Sequence, residues 1–451
     1  MLVRRVFVLS DLHLGPGGPL TTFHEGARLA KLLDGWRQHE GAIELVLAGD
    51  VFDFLQAEGY DGFSAALAAA RFETIAKNRD TAAVLTALAT LAARPGVELT
   101  VLAGNHDPEL LVDDVREAFE EKVHRRGTVR WADDECLVAH RGDDPPVWGR
   151  ALSPVGTEEP ARSVWVTHGD RWDPSNYIDR DAVRAACRTG APVVLPVGSH
   201  LVFEVLSKLK PDRRWVDELK PELSVVLPLL LAVAPRETMG YLHRHRGVAA
   251  RLLVAQVRAR ASAGPLFGVG NSAPAPTAAG APAAPEALLA SALAAQLRTE
   301  PGDPVRLLAA LEVHLERGAP PSATSDLMAA PGGAVGFLLR TWLRLHRATD
   351  RSRRIDDDDA IAPAARRFLP EGLGALIAGH THGQRIRADL DPPYFNSGTW
   401  APVQVVPDGN LRAWLDGVVA ADAPRTPSPG TYVRIDLGDG PPVVAVEEAP
   451  L

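Results

Sequence analysis

Apolar residues recur along the chain in two alternating rhythms. Short runs rich in Val, Ile and Leu at 6–9, 43–48, 97–103, 163–167 and 373–378 each stop at Asp, Gly or His, as buried strands do when polar loops follow their C-terminal ends. Between them, 26–36 and a long Ala-rich run over 64–93 repeat their apolar positions at helical spacing. Strand and helix in alternation predict an α/β sheet, and such sheets carry their chemistry beyond the strand ends.

The rhythm changes over 173–370, where amphipathic segments such as 201–209, 248–260 and 337–346 dominate and strand signals are few. This stretch reads as a helical insertion, with an Ala/Pro/Gly-rich part at 261–285 too poor in apolar surface to offset the cost of ordering and therefore expected to be a disordered loop. Strand-like pieces return at 394–396, 403–406, 411–415, 432–437 and 443–446, separated by Pro, Asp and Gly, and are expected to form a second sheet packed on the first. The organisation predicted is a core in two parts, 1–172 and 371–451, around an insertion at 173–370. No repeat at a fixed period is visible.

Composition narrows the setting. Of 451 residues, 46% are hydrophobic and 23% charged, ordinary for a globular protein with a large core. The formal net charge of −9 opposes polyanions, so nucleic acid is not an expected partner. The two cysteines, Cys136 and Cys187, stand far apart and suggest neither a disulfide framework nor a thiolate metal site, which fits the reduced cytoplasm. The first ten residues lack the long apolar segment of a signal peptide, so the mature chain is expected to start there. The apolar stretch 223–234 contains Pro228 and is far shorter than the ~20 residues that span a bilayer.

The chemistry gathers at the predicted strand ends: Asp11-Leu12-His13, Gly49-Asp50-Val51-Phe52-Asp53, Gly104-Asn105-His106-Asp107, His168-Gly169-Asp170 and Gly379-His380-Thr381-His382. Asp-x-His and His-x-His in extended backbone put two donors on one side, where both can reach one metal cluster. Asp11, His13, Asp50, Asn105, His168, His380 and His382 are all oxygen or imidazole donors, a mixture that suits Mn²⁺, Fe²⁺ or Zn²⁺ better than Ca²⁺ or Cu⁺. Two divalent ions, less the charges of Asp11, Asp50 and a bridging hydroxide, leave one positive charge to meet a phosphodiester monoanion.

Together these five segments resemble the signature of the calcineurin-like metallophosphoesterases, without a lost ligand. The resemblance covers residues 2–172 and 372–446 and implies an α/β fold, a two-sheet β-sandwich flanked by helices. Position by position it implies that Asp11, His13 and His382 hold one ion, that Asn105, His168 and His380 hold the other, and that Asp50 bridges them. A hydroxide between the ions is then the nucleophile, with His106 acting on the leaving oxygen or on phosphate charge. The metal expected is Mn²⁺, with Fe²⁺ or Zn²⁺ as alternatives. Asp53, Asp107 and Asp170 read as carboxylates that orient imidazoles or neighbouring loops.

Trp172, Asn176 and Tyr177 follow the His168 segment directly and are candidates for substrate contact at the mouth of the cleft; the alternatives are that Asp173 or Ser175 caps a helix and that Trp172 and Tyr177 simply pack. His24, His39, His124, His140, His200, His314 and His346 sit alone and read as surface or satisfied residues, and the basic cluster 243–246 reads as a solvated helix face. The function expected is hydrolysis of a phosphodiester or pyrophosphate in a small or amphiphilic molecule, with peripheral membrane contact through apolar faces of the insertion. A UDP-2,3-diacylglucosamine pyrophosphatase is one alternative, similar in its short Asp-Leu-His and helical insertion, although that branch commonly carries Arg where His106 stands. A repair-type exonuclease, similar at residues 10–15, and a non-catalytic metal-binding scaffold complete the alternatives.

Overall fold

The computed structural model describes residues 4–132, 135–139, 163–173, 176–211, 214–220, 361–367, 369, 372–405, 428–437 and 441–450. All belong to the first of two compact units, Met1–Pro221 with Arg351–Leu451; the second is Glu222–Asp350. The segments 223–234, 243–246, 248–260, 261–285, 337–346 and 411–415, with His140 and His314, lie outside the described residues.

Two sheets face one another. The first has β1 (Arg4–Leu9), β2 (Ile43–Ala48), β3 (Val97–Leu102) and β4 (Arg130–Ala132) in parallel, with β12 (Thr431–Leu437) and β13 (Val443–Glu448) added antiparallel beyond β1. The second runs in the order β5 (Glu135–Ala139), β6 (Ser163–Thr167), β8 (Ala375–Ala378), β10 (Tyr394–Asn396), β9 (Arg385–Arg387). Val6, Val8, Val46, Ala48, Leu102 and Val433 from one inner face meet Val164, Val166, Ala375, Ile377 and Phe395 from the other in one buried core. The chain is thus an α/β sandwich.

The late strands divide differently from the sequence expectation. Among the described residues of these late strands, only β10 joins the second sheet. β12 and β13 extend the first, because β12 alternates its buried positions and pairs with the open edge of β1 from Arg4↔Leu437 to Val8↔Val433. Gln404–Val405 (β11) instead pairs with Leu219–Lys220 (β7) in a separate two-stranded ribbon. Strands β4, β5 and β9 gave no sequence signal, being short or interrupted by charge.

Helix α1 (Gly26–Arg37) covers the outer face of the first sheet, where Trp36 stacks on Phe7 with ring centroids 4.0 Å apart. The Ala-rich run expected as one helical stretch is two, α2 (Ala65–Ala76) and α3 (Arg79–Ala92). Asn78 makes the break, since its side-chain oxygen caps α3 at Asp80 N while its amide donates to Gly15 O at 2.9 Å. Helix α4 (Asp113–Lys122) follows β3. Beyond β6, α5 (Arg180–Thr189) and a π-helical turn over Leu201–Leu206 pack into the same unit, with Phe203 edge-on to Tyr60 and Lys210 bonded to Gln56 at 2.9 Å and Asp217 at 2.6 Å. Among the described residues no helix is long and apolar enough to cross a membrane.

Candidate metal centre

The loops that leave β1, β2, β3, β6 and β8 converge at one end of the sandwich. Those after β1 and β2 are zipped by backbone bonds, Asp11 N to Gly49 O (3.2 Å), His13 N to Asp50 O (3.0 Å) and Leu14 N to Val51 O (2.9 Å). Asp107 ties in the β3 loop, accepting from Val51 N at 2.7 Å, Phe52 N at 3.1 Å and Gly104 N at 2.6 Å. From the second sheet, Gly379 N donates to His168 O at 2.9 Å and His380 N to the Asp11 carboxylate at 2.9 Å.

Close approach constrains the backbone. Gly49 has φ of 84°, and a Cβ there would overlap the His168 ring; a Cβ on Gly104 would overlap Asp50. Six non-glycine residues among those described take positive φ, and five of them are Asp11, His13, Asp50, His380 and His382. Left-handed backbone costs about 1–2 kcal/mol at an ordinary residue, and its concentration on five proposed ligands marks a place where packing holds strain for function.

The donors form overlapping groups. One atom each from Asp11, His13, Asp50 and His382 lie within 4.8 Å of one another, and so do atoms of Asp50, His168 and His380. Asn105 joins the second group, its Oδ1 3.2 Å from His168 Nε2. Asp50 belongs to both groups, with Oδ2 at 3.3 Å from His168 Nε2 and 3.9 Å from His13 Nε2. His382 Nε2 lies 3.0 Å from His13 Nε2 and 3.2 Å from Asp11 Oδ1. Donors bound to one ion at ~2.0–2.2 Å stand about 3 Å apart, so these residues fit divalent metals. Their other faces are fixed as ligands require: His168 Nδ1 donates to Ala48 O at 3.0 Å, and His13 Nδ1 lies 3.3 Å from Asp53 Oδ2.

Electrostatics prepares the carboxylates. Burial alone would raise Asp11, but the hydrogen bond and charge of His382 hold it down to about 2. Asp50 and Asp53, equally buried, are pulled down by His168 and His106 respectively. Burial would depress His168, yet Asp50 raises it to about 10. Burial and the Asp50 charge push Asp107 up to about 7 against the three N–H groups it accepts.

The remaining sequence candidates take distinct places. His106 stands beside these two groups and forms a third with His13 and Asp53, its Nδ1 3.1 Å from Asp53 Oδ1 and its ring edge-on to His13. Asp53 therefore touches both His13 and His106. Asp170 binds Arg180 in bidentate fashion. Trp172 packs against the outer face of the second sheet, Asn176 donates to Asp173 at 2.7 Å, and Tyr177 is exposed. Sequence reasoning missed three supports. Arg180 gave no signal, because ordinary helix residues surround it, and Asp173 read only as a substrate-contact or helix-cap candidate. The turn Asn396-Ser397-Gly398-Thr399, where Asn396 donates to Gly379 O and Thr399 to Asp11 O, was signalled only as polar residues closing an apolar strand.

An α/β sandwich with Asp, Asn and His donors grouped around a shared carboxylate at its strand ends defines the class of metal-dependent hydrolases. Residues 4–218 match the family model of the calcineurin-like phosphoesterases. The protein is a metal-dependent phosphoester hydrolase, and that family has a dinuclear divalent centre. No curated protein matches the chain.

Proposed function

We propose that the protein hydrolyses a phosphodiester or pyrophosphate in a small or amphiphilic molecule, with Asp11, His13, Asp50 and His382 holding one ion and Asp50, Asn105, His168 and His380 the other. The observation that carries this reading is the place of Asp50 in both donor groups. When bound, such a metal pair supplies Lewis acidity and an acidified water. The chain's own part is to hold that pair against burial and to present His106. With Nδ1 fixed by Asp53, His106 is placed to give a proton to the leaving oxygen through Nε2.

The donor set favours Mn²⁺ over Ca²⁺. The free thiols of Cys136 and Cys187 fit a reducing, cytoplasmic setting, and the net charge of −9 disfavours nucleic acid as substrate. The test is metal quantitation on purified protein together with hydrolysis of bis(p-nitrophenyl) phosphate and of p-nitrophenyl phosphate, before and after chelation. Two ions per chain and chelator-sensitive cleavage of the diester are expected. Cleavage of the monoester alone would remove the diester assignment, and metal-free protein with full turnover would remove the metal pair.

A further inference from the structure

We infer that Asp173 is a positioning residue for the metal centre, fixing the His380 imidazole so that Nδ1 is the nitrogen offered to metal. This rests on the ligand assignment proposed above. Asp173 Oδ2 lies 3.1 Å from His380 Nε2, within the range of a charge-assisted hydrogen bond. A nitrogen of His380 also lies within 4.8 Å of donor atoms of Asp50 and His168. An imidazole has two nitrogens, and one held N–H to a carboxylate fixes the tautomer, aims the ring and raises the basicity of the other. His168 has such a partner in the Ala48 carbonyl, and His13 Nδ1 lies 3.3 Å from Asp53 Oδ2. Asp173 plays this part for His380.

The carboxylate is itself held. Asp173 ends a tight turn in which Trp172 N donates to Gly169 O at 3.1 Å and Asp173 N to Asp170 O at 2.9 Å. Asp170 is anchored by buried Arg180, whose Nη1 and Nη2 donate to its two oxygens at 2.5 and 2.8 Å while Nη2 also donates to Ala103 O at 3.0 Å. On the other side Asn176 Nδ2 donates to Asp173 Oδ2 at 2.7 Å, and Tyr177 N to Asp173 O at 2.8 Å. His168 begins this turn, so one short segment both supplies a proposed ligand and steers a second one from β8. The side chain of Asp173 is 35% exposed while that of His380 is 7% exposed, so the contact sits at the rim and its loss leaves the core intact.

The experiment titrates Mn²⁺ alone into metal-stripped wild type, Asp173→Ala and Asp173→Asn by calorimetry, with the melting temperature of each metal-free protein recorded alongside. Asp173→Ala should weaken one of the two sites by ~10–100-fold, the usual effect of losing a ligand's hydrogen-bonded partner, and leave the other within a factor of a few. Asp173→Asn keeps an acceptor oxygen and should recover part of that loss, and both metal-free proteins should melt as wild type does. Wild-type constants in Asp173→Ala overturn the inference while leaving the metal-pair reading standing. Equal weakening of both sites with a lowered melting temperature also overturns it, as does an Mn²⁺-loaded crystal structure with an Asp173 oxygen bonded to the ion. Wild type that binds no metal defeats the parent reading instead.

Discussion

Of the proposed ligands, Asp11, Asp50 and Asn105 with a single imidazole, His13, lie beyond the parallel strands β1, β2 and β3; those beyond β6 and β8 are imidazoles only, His168, His380 and His382. The first half thus carries the negative charge of the ligand set and the second most of its nitrogen donors. Like carboxylates in one buried place repel, so the acidic half needs the stiffer frame. It has one in the backbone zipper between the β1 and β2 loops and in the three N–H bonds that Asp107 accepts. The imidazole half is aimed by side chains instead, through Asp173, Asp170 and Arg180. The contrast teaches that each half is incomplete in charge or in donors, and a divalent cation satisfies both.

The largest test of that contrast is Asp50→Asn, because Asp50 is the one carboxylate shared by both groups. Both ions should leave together, and with them several kcal/mol of transition-state stabilisation, so turnover should fall on the order of 10⁴-fold. Elemental analysis and diester hydrolysis check this, and retention of two ions would break the sharing. Next comes Arg180→Ala, which strands Asp170 as a buried unpaired carboxylate and should cost about 3–5 kcal/mol in denaturant unfolding. A smaller cost would show the imidazole half to be less dependent on side-chain anchors than the contacts indicate. His106→Ala should keep both ions while lowering turnover ~10²–10³-fold, and less for substrates with acidic leaving groups. Metal loss in that variant would make His106 part of the acidic half.

These two halves were not equally legible in the sequence. Each proposed ligand announced itself because it follows an apolar strand within four residues, a purely local pattern that Asp11-Leu12-His13 and His380-Thr381-His382 show plainly. The strands β1, β2, β3, β6 and β8 were legible for the same reason, since buried parallel strands are continuous apolar runs. What stayed hidden depends on distant partners. Arg180 reads as a surface helix residue until Asp170 and Ala103 are brought against it, and Asp173 reads as a cap until His380 arrives from 207 positions away. The sheet to which β12 belongs was misjudged because its pattern says which face is buried and nothing about which edge it joins.

The smallest predicted effect separates the halves by pH. Buried acids pushed up by desolvation lie on first-sheet elements: Glu44 in β2, and Asp107 and Glu109 after β3. Glu109 is the cleanest probe, because it contacts no proposed ligand; Tyr60 Oη donates to its Oε1 at 3.2 Å. Burial raises it from 4.5 to about 8, against the pull of its own backbone N–H and of Arg71. The folded protein therefore keeps a proton there that the unfolded chain releases above pH 4.5. Such a group stabilises fully below the unfolded value, and that stabilisation is lost as pH rises through the folded one. Its share of the slope is at most about 1.4 kcal/mol per pH unit, or roughly 2 kcal/mol between pH 5.5 and 7. Glu109→Gln keeps the acceptor for Tyr60 and cannot ionise, so the difference in unfolding free energy between variant and wild type should shift in favour of the variant by that amount over this window. Urea titrations at the two pH values measure it. A difference that stays flat with pH would place an ionised carboxylate at Glu109 and remove the buried neutral acid from the first half.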